Sequence, residues 1–155
     1  MAKRIDQQTV TLQPYLEDDA QGECWRLLLG DSCERLAEIP DESIDFSIYS
    51  PPFASLYTYS PSERDLGNST SQAEFLEHYR FIIDHMLRVT KPGRLCAVHV
   101  QQVAILKNRD GYTGLNDFRG DVIRAHQEAD WIFYGEVTVD KNPQLQAVRT
   151  KSQAL

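Results

Sequence analysis

At 155 residues the chain is long enough for one domain with a hydrophobic core, and too short for two. With 41% hydrophobic residues it has a globular composition, and no run approaches the roughly 18 apolar residues that a membrane helix requires. The net charge of −7 argues against non-specific nucleic-acid binding by the whole surface, and an N-terminus without an apolar segment predicts a soluble cytoplasmic protein.

The first third of the chain predicts two strands joined by a short helix. Residues 1–23 are polar and acidic without periodicity, which is typical of an N-terminal arm. The apolar run Cys24–Asp31, which Gly30 terminates, predicts a buried strand. Ile44–Tyr49 predicts a second strand. Between them Ser32–Ile39 has helical spacing, with Ser32 as a candidate cap.

A long helix in the middle of the chain is the clearest element. Seven apolar side chains recur at helical spacing within Gln72–Val89, and Ser71 with Glu74 predicts a capping box at its start. The preceding segment, Pro51–Ser71, has no pattern, and a loop of that length in a compact domain is usually functional or disordered. After the helix, Leu95–Val100 predicts a third strand.

The last third of the chain predicts one more helix and one more strand. Residues 101–116 read as irregular, Asp117–Glu128 as a helix capped by Asp117, and Trp131–Val139 as a fourth strand rich in aromatic and β-branched residues. The expected division of the chain is an N-terminal arm, a globular part and a basic C-terminal segment, at residues 1–23, 24–139 and 140–155.

This alternation of strands and helices predicts an α/β fold with an open, mostly parallel sheet. In such sheets ligands bind beyond the carboxyl ends of the strands. Asp31 and the tetrapeptide Ser50–Phe53 both lie at the carboxyl ends of predicted strands, so we expect them at the same edge of the sheet.

The tetrapeptide SPPF, Ser50–Phe53, has the chemistry to bind a planar amine. Two prolines fix the turn and offer no N–H, so its free hydrogen-bonding groups are carbonyls. The Ser50 hydroxyl adds an acceptor, and Phe53 offers a ring on which a planar group can stack. An ordinary strand-ending turn is the alternative interpretation of these four residues.

Hydrogen bonding to such an amine would favour a tetrahedral nitrogen that can attack an electrophilic methyl group. If the amine belongs to a base in a DNA duplex, the base must be flipped out to reach the turn. This chemistry requires no metal and no covalent nucleophile. The spacing of the three cysteines likewise predicts neither a disulfide framework nor a zinc site: Cys24, Cys33 and Cys96.

The segment GDSCERLAEIPDESIDFSIYSPPF, residues 30–53, resembles the opening block of the amino-group DNA methyltransferases. The likeness is to the permuted arrangement, in which the catalytic motif precedes the cofactor glycine loop. The later KPGR and LCAVHV segments also match, and the resemblance extends over residues 25–151.

The resemblance implies an enzyme that transfers a methyl group from S-adenosylmethionine to cytosine N4 or adenine N6 of double-stranded DNA. It implies that Ser50, Pro51, Pro52 and Phe53 are the catalytic motif that binds the flipped base. It also implies that Asp31 accepts a hydrogen bond from the adenine or ribose of the cofactor, although a helix-capping aspartate is an equal alternative.

The cofactor glycine loop of that family has no match in this sequence. We therefore expect a methyltransferase-type sheet that is incomplete, a chain that is a weak or inactive portion of the enzyme, and possible self-association through the uncovered sheet edge. Two alternatives remain: a methyltransferase that acts on RNA or a protein amide, and a non-catalytic remnant of the fold that binds a partner.

Basic and imidazole side chains supply the remaining candidates. Three cations follow the fourth predicted strand and could neutralise DNA phosphates, with a solvated tail as the alternative: Lys141, Arg149 and Lys151. His78 and His85 share one side of the long helix without a third metal ligand. His99 is expected to be a packed core histidine, because methyl transfer to an amine needs no strong base.

Overall fold

The computed structural model describes residues 16–53, 59–60, 62, 64–140 and 142. These residues fall in two compact units. The unit Val10–Phe133 contains every helix and strand of the described chain. The other unit joins Met1–Thr9 to Tyr134–Leu155, and its described residues form neither helix nor strand.

The described strands form three two-stranded sheets, one parallel and two antiparallel. The antiparallel pairs are β1 (Asp18–Gly22) with β2 (Trp25–Leu29), and β5 (Val103–Ile105) with β6 (Gly114–Asn116). The parallel pair is β3 (Ile44–Tyr49) with β4 (Thr90–Val98). The α/β class predicted from the sequence is confirmed, and its sheets include a parallel pair.

In the described part of the chain, four α-helices and one 3₁₀ turn accompany these strands. They are α1 (Ser32–Ala37), the 3₁₀ turn Leu66–Asn68, α2 (Gln72–Val89), α3 (Lys107–Asp110) and α4 (Phe118–Glu128). Among the described residues, none of these helices is long and apolar enough to cross a membrane.

The long helix α2 has the bounds that the sequence predicted. The Ser71 hydroxyl accepts from the Glu74 N–H at 3.1 Å, as expected for a helix cap. The return bond differs from a standard capping box, because the Glu74 carboxylate accepts from the Thr70 N–H at 2.7 Å. The cap of α4 is also as predicted, since the Asp117 side chain accepts from the Gly120 N–H.

The hydrophobic core lies between α2, α4 and one face of the parallel sheet. Phe75 of α2 stacks on Tyr79 at a ring distance of 5.5 Å and packs on Phe118 of α4 at 5.4 Å. Tyr49 of β3 and Val98 of β4 contact this cluster from the sheet. The helix α2 therefore covers the inner face of the parallel pair.

The opposite face of the parallel sheet is apolar and exposed. Phe46 is 58%, Ile48 74% and Leu95 50% exposed. Phe46 and Leu95 are partners in the parallel register, so they project from the same face. Parallel strands in proteins are normally buried on both faces, which makes this open face a distinctive feature of the fold.

Three sequence expectations are corrected by the structure. The β2 strand forms but is not buried, because Leu27 and Leu29 are each more than half exposed. Residues 18–22 are not frayed but pair with β2. Residues 101–116 contain β5, α3 and β6 rather than an irregular stretch. Short strands of three residues carry too little periodicity to be recognised in a sequence.

The prediction of a fourth strand at Trp131–Val139 is wrong. Residues 131–140 form neither helix nor strand, and the apolar side chains of Ile132 and Val137 are strongly exposed. Aromatic and β-branched residues suit a pleated, half-buried surface, but they form a strand only when a neighbouring strand accepts their backbone hydrogen bonds.

Substitutions on α2 test this packing. Phe75 is 0% exposed and Phe81, on the same helix, is 60% exposed. Phe75→Ala should lower the free energy of unfolding by about 3–5 kcal/mol through lost burial and a residual cavity. Phe81→Ala is the matched control and should cost less than about 1 kcal/mol. Urea denaturation followed by circular dichroism measures both, and equal losses would contradict this assignment of the core.

Candidate active site

The two parallel strands end at the same edge of the sheet. β3 ends at Tyr49 and β4 at Val98, and the His99 N–H donates to the Tyr49 carbonyl at 2.9 Å. Ser50 follows β3 directly, and its hydroxyl donates to the His99 carbonyl at 3.0 Å. The Ser50 Oγ also lies 3.5 Å from His99 Nδ1. The carboxyl end of the sheet therefore brings Ser50 and His99 together.

The other residues of the SPPF turn pack against the core. Pro51 is buried, whereas Pro52 and Phe53 are half-buried and Ser50 is exposed. The Phe53 ring packs edge-on against Phe118 at 6.2 Å. The turn is thus supported from the protein interior and accessible on the side of the serine hydroxyl.

Asp31 lies at the start of α1 and caps it. Its Oδ1 accepts from the Cys33 N–H at 2.9 Å, so Asp31 takes the capping role that the sequence suggested for Ser32. Its Oδ2 lies 3.5 Å from Arg64 Nη1, and Arg64 also pairs with Glu34. The Asp31 side chain is 17% exposed. A carboxylate has about four lone-pair sites, so these contacts leave acceptor capacity.

Two arginines fix α1 and therefore Asp31. Arg35 Nε donates to the Leu29 carbonyl at 3.0 Å, which joins the helix to the end of β2. Arg88, near the end of α2, donates to the Leu36 carbonyl at 2.7 Å. Carbonyls at a helix C-terminus lack helical partners, and a cation is well suited to satisfy them.

A cleft of about 510 Å³ joins the two predicted parts of the site. Asp31, Pro52 and Arg64 line it, together with His78 and Phe81 of α2. Small-molecule sites commonly have volumes of roughly 300–1,000 Å³. Of the SPPF turn, Pro52 lines this cleft together with Asp31. The expectation of one common sheet edge is not met, because β2, the strand before Asp31, pairs with β1 and not with the parallel sheet.

A buried hydrogen-bonded network fixes the residue before the SPPF turn. The Tyr49 hydroxyl lies 2.8 Å from the Tyr79 hydroxyl and 3.1 Å from His126 Nε2. His126 Nδ1 is 2.7 Å from the Val122 carbonyl, which can only accept, so Nε2 accepts from Tyr49. Burial raises the pKa of Tyr49 and of Tyr79 well above the ordinary value and lowers the pKa of His126.

Other predicted site residues have different outcomes. Lys141, Arg149 and Lys151 lie outside the described residues, so their role stays a prediction. His78 lines the cleft. No group of three or more potential metal ligands occurs in the described part of the chain.

His99 is the residue whose position the sequence misjudged. It is exposed rather than packed in the core, and its ring centroid lies 6.2 Å from that of Phe53. The expectation failed because β4 ends at Val98, one residue before it. The signal that could have found it is its place directly after a strand, since residues there face the ligand edge of an α/β sheet.

Comparisons with known proteins reveal a likeness of fold. No protein-family model and no curated protein sequence matches the chain. Matching solved structures include those of TTHA0409, a candidate DNA modification methylase from Thermus thermophilus. One is 20% identical, with a TM-score of 0.51 over 73% of this chain and 48% of that chain. Another, complexed with S-adenosyl-L-methionine, is 21% identical, with a TM-score of 0.50 over 72% and 48%.

The chain therefore has a methyltransferase-like α/β fold. It spans about half the length of the solved structures that it matches.

The lowered pKa of His126 gives the fold a testable dependence on pH. On acidification, His126 of the unfolded chain becomes protonated below about pH 6.5, whereas the buried imidazole of the folded chain stays neutral to lower pH. The free energy of unfolding therefore has its full value above that pH and falls below it. The slope should approach at most about 1.4 kcal/mol per pH unit. Denaturant titrations between pH 7.5 and 5.5 measure it.

His126→Gln is the control for this pH dependence. The substitution retains an uncharged acceptor near Tyr49, and it should lower stability at neutral pH while flattening the dependence between pH 7.5 and 5.5. An unchanged slope would show that other groups cause the acid sensitivity.

Proposed function

We propose that this chain carries the catalytic motif of an S-adenosylmethionine-dependent DNA methyltransferase that acts on an exocyclic amino group. The observation that carries the proposal is the shared cleft, because Asp31 and Pro52 line one cavity in a methyltransferase-like fold. The resemblance of residues 30–53 to the permuted amino-group family supports the same reaction. The target is cytosine N4 or adenine N6.

The residues present fit part of such a cofactor. Asp31 Oδ2 has one distant contact, with Arg64 at 3.5 Å, and can accept from a ribose hydroxyl or an adenine amino group. The cleft of about 510 Å³ is large enough for a nucleoside. When bound, the cofactor supplies an electrophilic methyl group on a sulfonium.

The SPPF turn would bind and orient the target amine. The exposed Ser50 hydroxyl and the Pro51 carbonyl offer acceptors to the two amino hydrogens, and Phe53 offers part of its ring for stacking. Because Phe118 and the core support Phe53, the turn is held rigid before the substrate arrives. A base in a duplex must leave the stack to reach this turn.

The exposed sheet face supports the proposal that the chain is one portion of the catalytic domain. The chain matches 46–48% of the length of the solved methylase structures. Its parallel pair is covered on one face only, while Phe46, Ile48 and Leu95 are open on the other. We infer that the polypeptide carrying the cofactor glycine loop covers this face, and that the 155 residues alone are weak or inactive.

Two other functions are alternatives. A methyltransferase acting on RNA or a protein amide would use the same turn, because those substrates also present planar amines. A non-catalytic remnant would instead use the open sheet face or its edge to bind a partner. Substrate choice and cofactor binding distinguish these alternatives.

Ser50→Ala tests the role of the turn. With protein in excess over duplex oligonucleotide and methyl-labelled S-adenosylmethionine, the substitution should slow methyl transfer at least about 100-fold, because the amine loses an acceptor. The cofactor dissociation constant, measured by calorimetry, should change less than about threefold. Ser43→Ala is the matched control, because Ser43 bonds to the Pro40 carbonyl.

Mass spectrometry of the digested oligonucleotide identifies N4-methylcytosine or N6-methyladenine. Equal losses of rate and cofactor affinity in Ser50→Ala would contradict the amine-binding role. Preferred methylation of RNA or of a peptide amide would support the first alternative. The non-catalytic remnant would be favoured if the chain neither binds the cofactor nor transfers a methyl group, both alone and with a polypeptide that carries the glycine loop.

The open sheet face should make the isolated chain self-associate. Sedimentation velocity from about 5 to 200 μM should give an apparent mass that rises with concentration, because an apolar face without its cover binds copies of itself. Ile48→Ser, on the exposed sheet face, should reduce this rise in apparent mass. Phe81→Ser, which replaces an exposed side chain of α2, should not. A wild-type chain that stays monomeric over this concentration range would contradict self-association through the exposed sheet face.

A further inference from the structure

We propose that His99 is the proton acceptor for the methylated amine and acts through the Ser50 hydroxyl. The inference rests on the proposed function. An amine nitrogen that gains a methyl group must also lose a proton. A serine hydroxyl can relay that proton but cannot keep it, because it gains one as it gives one up. If the proton leaves through Ser50, a group able to retain it must lie within reach of the hydroxyl.

His99 has the position that this role requires. Its Nδ1 lies 3.5 Å from Ser50 Oγ, and the hydroxyl hydrogen now points to the His99 carbonyl at 3.0 Å. That hydrogen can rotate about the Cβ–Oγ bond, so a modest approach of the ring allows it to form a hydrogen bond to Nδ1. Hydrogen bonds used in catalysis are often long in the free enzyme and shorten when the substrate binds.

The backbone fixes His99 at this place. Its N–H donates to the Tyr49 carbonyl at 2.9 Å, which continues the ladder of the parallel strands beyond β4. Its ring lies beside Phe53 at a centroid distance of 6.2 Å. The imidazole therefore lies beside both the proposed amine acceptor and the proposed stacking ring.

The surroundings of His99 leave a path for an accepted proton. The residue is exposed, so a proton accepted by the ring can pass to solvent. Within the described part of the chain, its hydrogen-bonding and ring partners are Ser50, Phe53 and the backbone of Tyr49, and none of these is charged. The Tyr49 hydroxyl is turned to the core, where it contacts Tyr79 and the neutral His126.

The step balances in atoms and electrons. The amine nitrogen uses its lone pair to form the bond to the methyl carbon. The bond from that carbon to the sulfonium sulfur of the donor breaks, and its electron pair stays on sulfur, which becomes a thioether. One proton passes from nitrogen to Ser50 Oγ as the Ser50 proton passes to His99 Nδ1. The imidazole becomes an imidazolium and releases the proton to water.

The tautomer of His99 tests the proposal without any cofactor. In ¹⁵N-histidine-labelled protein at about pH 8, long-range ¹H–¹⁵N spectra should show an unprotonated His99 Nδ1 that can accept from Ser50. His99→Asn assigns the resonance. Ser50→Ala should shift it, whereas the signals of His85, which lies on α2, should stay unchanged. A His99 ring that carries its hydrogen on Nδ1, or is indifferent to Ser50→Ala, would overturn the proposal.

The pH profile of methyl transfer gives the second readout, measured with the glycine-loop polypeptide added if the chain alone is too slow. His99→Asn should transfer about 10–100-fold more slowly than the wild type at about pH 8, and its pH profile should differ from that of the wild type. His85→Asn should retain the wild-type rate and profile. Transfer by His99→Asn with the wild-type profile would overturn this inference alone. Absence of transfer at every pH by the wild type, also when a polypeptide that carries the glycine loop is added, would overturn the methyltransferase proposal and this inference with it.

Discussion

Parallel pairing of β3 with β4 is the constraint on which the candidate site depends. Parallel strands point the same way, so their carboxyl ends meet at one edge, where Ser50 and His99 come together. Such pairing requires a crossover, and α2 provides it by packing Phe75 and Tyr79 against the inner face of the sheet. The site therefore depends on the burial of one helix face.

The two faces of this sheet differ in a way that links fold to function. The inner face joins Tyr49 to the core, and the outer face leaves Phe46 and Ile48 open. The sheets of α/β proteins are normally covered by helices on both sides, whereas the described residues leave one side of this parallel pair exposed. The chain spans about half the length of the solved methylase structures that it matches.

Elements with strong local signals were predictable from the sequence. The helix Gln72–Val89 has about five turns of apolar periodicity and a cap, and its bounds are as predicted. The helix after Asp117 was predictable for the same reason. Val103–Ile105 was missed because a three-residue strand shows little periodicity. The β-rich Trp131–Val139 was wrongly predicted because a strand forms only when a neighbouring strand pairs with it.

For the candidate site, the sequence by itself determined the local chemistry: a rigid turn rich in acceptors at Ser50–Phe53, and a carboxylate after a glycine at Asp31. Only the tertiary structure decided what surrounds them. It brought Arg64 to Asp31 across 33 positions of the chain, and His99 to Ser50 across 49 positions. Side-chain type and turn geometry are local properties, whereas these contacts exist because strand pairing and helix packing bring distant segments to one edge.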